Sequence, residues 1–267
     1  MTSPAIIRFG PEDCCHGALH LPAGGQRGGF VICPPFGEEA KCAYRTLYEI
    51  ADLAAARGWA VLRFDYFGTG NSSGGFDSFA PSRALEDVRA ALARLRRECS
   101  GPVGALGLGL GAALALDAAQ PSESAADDSI GFLILWQPLI NGGEFYKLNI
   151  KRQLVRQMLT HGKARGSSEG SPADIIDLDG YALSKAAANE LKAINLLDPP
   201  RTDLPPTLLL QASFTATPAS DIQALAASTS PPLEAGSVIC EPFWKRIGFV
   251  DTSNIFNSTL DWLDKLE

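Results

Sequence analysis

The stretch Val103-Gly-Ala-Leu-Gly107-Leu108-Gly109-Leu110-Gly111-Ala-Ala-Leu-Ala-Leu has the layout of a short buried strand, a tight glycine turn and a helix. A turn of this kind, in the pattern Gly-x-Ser-x-Gly, presents a strained serine for acyl transfer. Gly107 and Gly111 stand at the flanking positions, but the central residue is Gly109. Glycine offers no nucleophile, and it relieves backbone strain that a serine would bear there.

Acyl transfer by serine also needs an acid and a histidine, in the chain order Ser, Asp or Glu, His. The histidine is expected after the last strand, within Glu241–Val250, and that stretch has none; the last histidine in the chain is His161. The acid is expected after a strand ending near Gln211, but Ala212–Pro218 holds no carboxylate and the next one is Asp221. All three members fail together, which predicts that the triad mechanism is absent.

The oxyanion-binding side reads differently. Pro34-Pro35-Phe36-Gly37-Glu38-Glu39 follows the first predicted parallel strand, where one N–H donor to an oxyanion belongs, and Leu110 supplies the other. Glu38 and Glu39 are paired acids at this edge. One reading makes either of them a base for water; the other places their charge at the N-terminus of the following helix, where it is favourable. The ligand-contacting candidates are Phe36, Gly37, Leu110, Trp136, Gln137 and Trp244. Cys33 ends a strand nearby, and with no histidine placed to activate it, it reads as an inert buried thiol.

These residues need a sheet to hold them. Residues 5–21 read as an N-terminal strand pair. Phe30–Cys33, Trp59–Asp65, Val103–Leu108 and Gly131–Trp136 read as buried strands. Helical spacing runs over Lys41–Arg57 and Ser82–Cys99. Such alternation predicts a mostly parallel sheet covered on both faces, with functional loops at the strands' carboxyl ends. After Trp136 the pattern breaks. Phe145–Leu159 and Tyr181–Leu197 look helical, around a flexible composition at Gly162–Pro172. Residues 1–136 and 201–267 are therefore read as the core and 137–200 as an inserted helical cap. The last elements are predicted at 207–211, 221–227, 237–240 and 252–266.

With 267 residues, the chain is long enough for one large domain. A formal charge of −7 with no basic cluster argues against nucleic acid as a partner. The longest uncharged apolar run, Val103–Leu116, is too short and glycine-rich to span a bilayer, so no membrane insertion is expected. No signal-peptide pattern opens the sequence, and six cysteines without a Cys-x-x-Cys pair predict reduced thiols in the cytoplasm. No metal-ligand spacing appears. Gly107-x-Gly109-x-x-Ala112 touches the dinucleotide fingerprint, but the next strand ends Leu135-Trp136-Gln137 without the acid, so no cofactor is expected. The sequence leaves the oligomeric state open.

Several segments together resemble a known group. Pro34-Pro35-Phe36-Gly37-Glu38-Glu39 and Arg63-Phe-Asp65-Tyr-Phe-Gly68-Thr-Gly70-Asn71-Ser72-x-Gly74 resemble the opening half of serine-aminopeptidase-like α/β-hydrolases. Leu135-Trp136-Gln137-Pro138, Asp179-Gly180-Tyr181-x-Leu183-Ser184 and Pro242-Phe243-Trp244 are similar to the second type of exosortase-A-associated hydrolase-like proteins. The resemblance implies an α/β-hydrolase fold and a setting linked to exopolysaccharide biosynthesis. In that group the elbow reads Gly-Leu-Arg-Leu-Gly, and this chain departs again with Gly109; it also has Asn71 where aspartate is usual. A fold does not carry chemistry by itself. The expectation is a hydrolase relative, degenerate at its catalytic centre, that binds a small acyl-, lipid- or glycan-linked ligand. Hydrolysis of esters or thioesters through Glu38 or Glu39 is one alternative, and a non-catalytic interaction protein is the other.

Overall fold

A computed structural model of the chain describes residues 3–120, 129–161 and 174–266. The elements run β1 (Ala5–Phe9), β2 (Cys15–His20), β3 (Gly28–Cys33), α1 (Glu38–Ala56), β4 (Trp59–Phe64), α2 (Pro81–Arg96), β5 (Val103–Leu108) and α3 (Leu110–Ala118). They continue β6 (Leu133–Trp136), α4 (Gly142–His161), β7 (Ile175–Leu178), β8 (Tyr181–Ser184), α5 (Lys185–Ala193), β9 (Thr207–Ser213), α6 (Ser220–Ser228), β10 (Ala235–Ile239) and α7 (Ser253–Leu263). Eight strands form one sheet in the order β1-β2-β4-β3-β5-β6-β9-β10. From β4 to β10 every pairing is parallel, and β1 and β2 add an antiparallel edge.

The central strands are apolar on both faces because both faces are covered. β3 and β5 are buried at every residue. On one face lie α2, α3 and α6, through residues such as Val88, Leu92, Leu114 and Leu225, and α5 joins the same apolar cluster through Leu191, packed against α2 and α4. On the other lie α1 and α7, through Leu47, Ile50, Phe256 and Leu260 against Phe30, Ile32 and Ile134. α3 has no polar stripe, as expected of a helix buried on nearly all sides; Leu110 through Leu116 are all buried.

Between β6 and β9 the strand–helix alternation stops. α4, the β7–β8 hairpin and α5 occupy this segment, and the hairpin forms its own two-stranded sheet. The helical reading of Tyr181–Leu197 is corrected at its start: Tyr181–Ser184 is a strand, and the helix begins at Lys185. The cause is the Asp179-Gly180 turn, whose residues have φ of 57° and 93°, the left-handed pair that two-residue hairpins favour. The stretch read as flexible, Gly162–Pro172, lies outside the described residues. Among the described residues, no helix is long and apolar enough to cross a membrane.

Candidate functional site

The elbow is intact as backbone. Gly109 sits between β5 and α3 with φ 58° and ψ −119°, a conformation that L side chains rarely adopt and that stores strain when they do. A side chain at Gly107 would collide with the backbone of Ala112, and one at Gly111 with the carbonyl group of Cys33. The flanking glycines therefore let α3 turn back against β5 and the end of β3. Leu110 begins α3, so its N–H has no carbonyl one turn back and faces outward at the helix N-terminus.

The space above Gly109 is already claimed. A Cβ built there would lie 3.2 Å from Pro35 Cβ and 3.3 Å from Glu39 Oε2. Glu39 thus lays its carboxyl over the position from which a nucleophile would project. It is half-buried in the first turn of α1. Burial pushes its pKa from 4.5 up to about 7, against the opposing pull of Lys245 and Arg152. Glu38 points elsewhere: it accepts from Tyr181 Oη at 3.1 Å and pairs with Lys41 at 3.5 Å. Consecutive helical residues project about 100° apart, so only one of the pair can face the elbow.

A cavity of about 330 Å³ opens beside Glu39. Phe36, Gly37, Glu38 and Glu39 line it from the β3–α1 turn, and Phe145, Asn149 and Arg152 line it from α4. Tyr181 from β8 and Trp244 with Lys245 from the turn after β10 complete the wall. The loop expected to supply a histidine thus brings an indole and an ammonium. Arg152 and Lys245 set positive charge around a carboxyl that is half ionised near neutrality.

The expected ligand-contacting residues divide. Phe36, Gly37 and Trp244 line the cavity; Leu110 is buried at the start of α3 and is not among its lining residues. Trp136 does not reach either large cavity. It is wholly buried beneath α7, with Nε1 donating to Thr259 Oγ1 at 3.0 Å and its ring beside Phe243 and Phe256. The physical reason is strand alternation: Trp136 projects into the sheet face that α7 covers. Gln137 lines neither cavity; its backbone has φ 43° and its N–H donates to the Leu210 carbonyl at 2.8 Å. Cys33 is fully buried, which raises its thiol pKa far above the ordinary range.

Sequence reasoning missed Asn149, Arg152, Tyr181 and Lys245. The helical signal for the first two was present: Phe145, Asn149, Arg152 and Arg156 recur at the spacing of one helix face. His16 and His20, on β2, do not line the elbow cavity; His20 instead meets Asp52 at 2.7 Å. A separate buried group, Cys14, Cys15 and Asp87, has metal-ligand residue types. Arg83 already fills it, 3.4 Å from both Cys14 Sγ and Asp87 Oδ1. Cys15 donates to Asp87 at 3.3 Å, and burial first, then Asp87, raises its pKa.

Gly109→Ser tests the elbow directly. The variant should lose about 1–3 kcal/mol through backbone strain and crowding against Pro35 and Glu39, and gain no esterase turnover, since among the described residues no imidazole lines the cavity. Urea denaturation and a p-nitrophenyl ester assay read both. An unchanged stability would remove the strain account.

No protein-family model matches the chain, and no curated protein sequence matches it. Solved structures do. A soluble variant of monoglyceride lipase from Saccharomyces cerevisiae, in complex with a substrate analogue, superposes with TM-score 0.66 at 15% identity, covering 99% of this chain and 96% of that one. The α/β-hydrolase GrgF from Penicillium sp. sh18 gives 0.64 at 17% identity, covering 99% of each chain. Est1E from Butyrivibrio proteoclasticus, solved with ferulic acid, gives 0.61 at 18% identity, covering 94% and 96%. With the strand order, the parallel core and the elbow backbone described above, these likenesses establish that the chain has the α/β-hydrolase fold.

Proposed function

We propose that the cavity beside Glu39 binds a small acyl ligand and that the chain does not carry out serine-hydrolase chemistry. The carrying observation is the Glu39 carboxyl, 3.3 Å from where a nucleophile's Cβ would stand. A ligand carboxyl oxygen in this cavity meets the Glu39 carboxyl, while Arg152 and Lys245 receive its negative charge. Residues 137–200 act as the cap that holds the ligand against the sheet edge, through Phe145, Arg152 and Tyr181. The sequence resemblance makes acyl- or glycan-linked compounds of exopolysaccharide biosynthesis the ligands to try first, in the cytoplasm.

Glu39 gives the binding a pH signature. Its protonated form donates a hydrogen bond to an anion, and its ionised form repels one. Affinity for a short acyl carboxylate should therefore rise as pH falls through about 7, by up to about tenfold per pH unit where binding requires the protonated form. Calorimetric titration with butyrate across that range checks this. Loss of binding is expected in Arg152→Ala and Lys245→Ala, and flat affinity with pH would sink the role given to Glu39.

A second reading has its own support, because a carboxyl with a pKa of about 7 is tuned for general-base work near neutrality. Glu39 would take a proton from water, the hydroxide would add to an ester or thioester carbonyl, and the leaving group would depart with that proton. Hydrolysis of p-nitrophenyl esters and acyl-thioesters by the wild type, Glu38→Ala and Glu39→Ala separates the readings. Turnover that vanishes only in Glu39→Ala establishes water attack; no turnover in any of the three leaves binding.

A further inference from the structure

A second cavity, also about 330 Å³, lies beside α1 and shares Phe36, Gly37 and Tyr181 with the first. Its floor follows from sheet register. Ala18 on β2 pairs with Arg63 on β4, and Arg63 pairs with Ile32 on β3, so the three side chains form one row on the face toward α1. Ala40, Tyr44 and Leu47, at helical spacing on α1, close the opposite side. The chamber is apolar along Ala18, Ile32, Ala40 and Leu47, and Arg63 brings a cation into that row; Lys41, His16, Asp65 and Asn71 are also among its lining residues.

Arg63 is held in place without being neutralised. Its Nε donates to His20 Nε2 at 3.1 Å, and its guanidinium lies 4.8 Å from the Tyr48 ring centre and 5.2 Å from that of Tyr44. His20 is buried and its Nδ1 faces Asp52 at 2.7 Å. That arrangement fits a neutral imidazole that gives its proton to Asp52 and accepts from Arg63. Among the described residues no carboxylate forms an ion pair with Arg63; Lys41 pairs with Glu38 and Asp65 faces His16 at 3.9 Å. A fixed guanidinium at an apolar chamber matches a carboxylate joined to an apolar body, since its planar donors suit a carboxylate's two oxygens.

We propose that this chamber is a second ligand site for a medium-chain fatty carboxylate, with the carboxylate on Arg63 and the chain against Ala18, Ile32 and Leu47. Arg63 lines only this cavity and Arg152 and Lys245 line only the other, so the site is tested in an Arg152→Ala, Lys245→Ala background that removes the cations of the other cavity. Isothermal titration with decanoate should show saturable one-to-one binding there. Arg63→Met should weaken it at least tenfold and Arg63→Lys by less. Ala40→Phe, which fills the chamber and leaves the Arg63 contacts untouched, should abolish it. Decanol, with the same chain and no charge, should bind at least tenfold more weakly than decanoate. Absence of saturable decanoate binding, equal affinity for decanol, or full binding in Ala40→Phe would each overturn the proposal. Loss of binding in the elbow variants themselves, with decanoate bound by the wild type, would place the carboxylate at the elbow and overturn it too.

Discussion

A Glu39→Gln protein is expected to resist urea better than the wild type at ~pH 8, by up to ~3.5 kcal/mol at ~1.4 kcal/mol per pKa unit. In the unfolded chain the carboxyl ionises near 4.5, whereas burial in the folded chain delays this to about 7. The folded state thus binds the proton more tightly between these values. The stability tied to that proton is full below about 4.5 and is lost as pH rises through about 7. Glutamine mimics the protonated shape without titrating, so it avoids that loss. Denaturation series from ~pH 5 to ~pH 8 should give a difference that opens across the interval and then levels. A difference independent of pH would mean that the carboxyl is ionised in the fold throughout. The sign has a functional corollary. A residue whose ionisation weakens the protein at neutral pH is one that the fold alone would replace, and its place beside Gly109 fits the proposed role in holding ligand.

Trp136→Ala should destabilise the protein by about 3–5 kcal/mol, the range for removing a large aromatic from a packed core. The indole is wholly buried, stacks on Phe256 with ring centres 6.3 Å apart, and satisfies Thr259, itself fully buried. Trp136→Phe separates packing from polarity. It keeps most of the ring burial but strands the Thr259 hydroxyl, so about 1–3 kcal/mol should be lost. Butyrate affinity should be unchanged in the Phe variant, since the residue lines neither cavity. A large change in affinity would put Trp136 back at the ligand and refute its assignment to the α7 interface.

Trp136 also shows where sequence reading stops. The strands and most helices were legible because burial writes periodicity: α1 and α2 show their apolar stripes, and β3, β5 and β6 show unbroken apolar runs. An unbroken run is silent about faces, however. A strand covered on both sides is apolar at every position, so nothing in Leu133–Trp136 says which side chain looks toward the cavity and which toward α7. The elbow was legible for the opposite reason, because Gly107 and Gly111 are demanded by backbone contacts whatever the side-chain chemistry. Choosing Glu39 over Glu38 needed the direction in which α1 leaves the Pro34–Gly37 turn, which is a tertiary property. Tyr181 was misread as helical although Asp179-Gly180 announces a hairpin, and Arg152 was passed over although it shares a helix face with Phe145 and Asn149.

Phe36 and Tyr181 line both cavities, each buried or half-buried, with ring centres 6.3 Å apart. Tyr181 belongs to a hairpin outside the main sheet, and its hydroxyl rests on Glu38. With both proposed ligands bound, a partition of this kind would couple the two chambers. Any occupant that shifts the Tyr181 ring to fit one side reshapes the other. By linkage, whatever factor the first occupant applies to the affinity of the second, the second applies to the first. The molecule would then report the joint presence of two compounds rather than the amount of either.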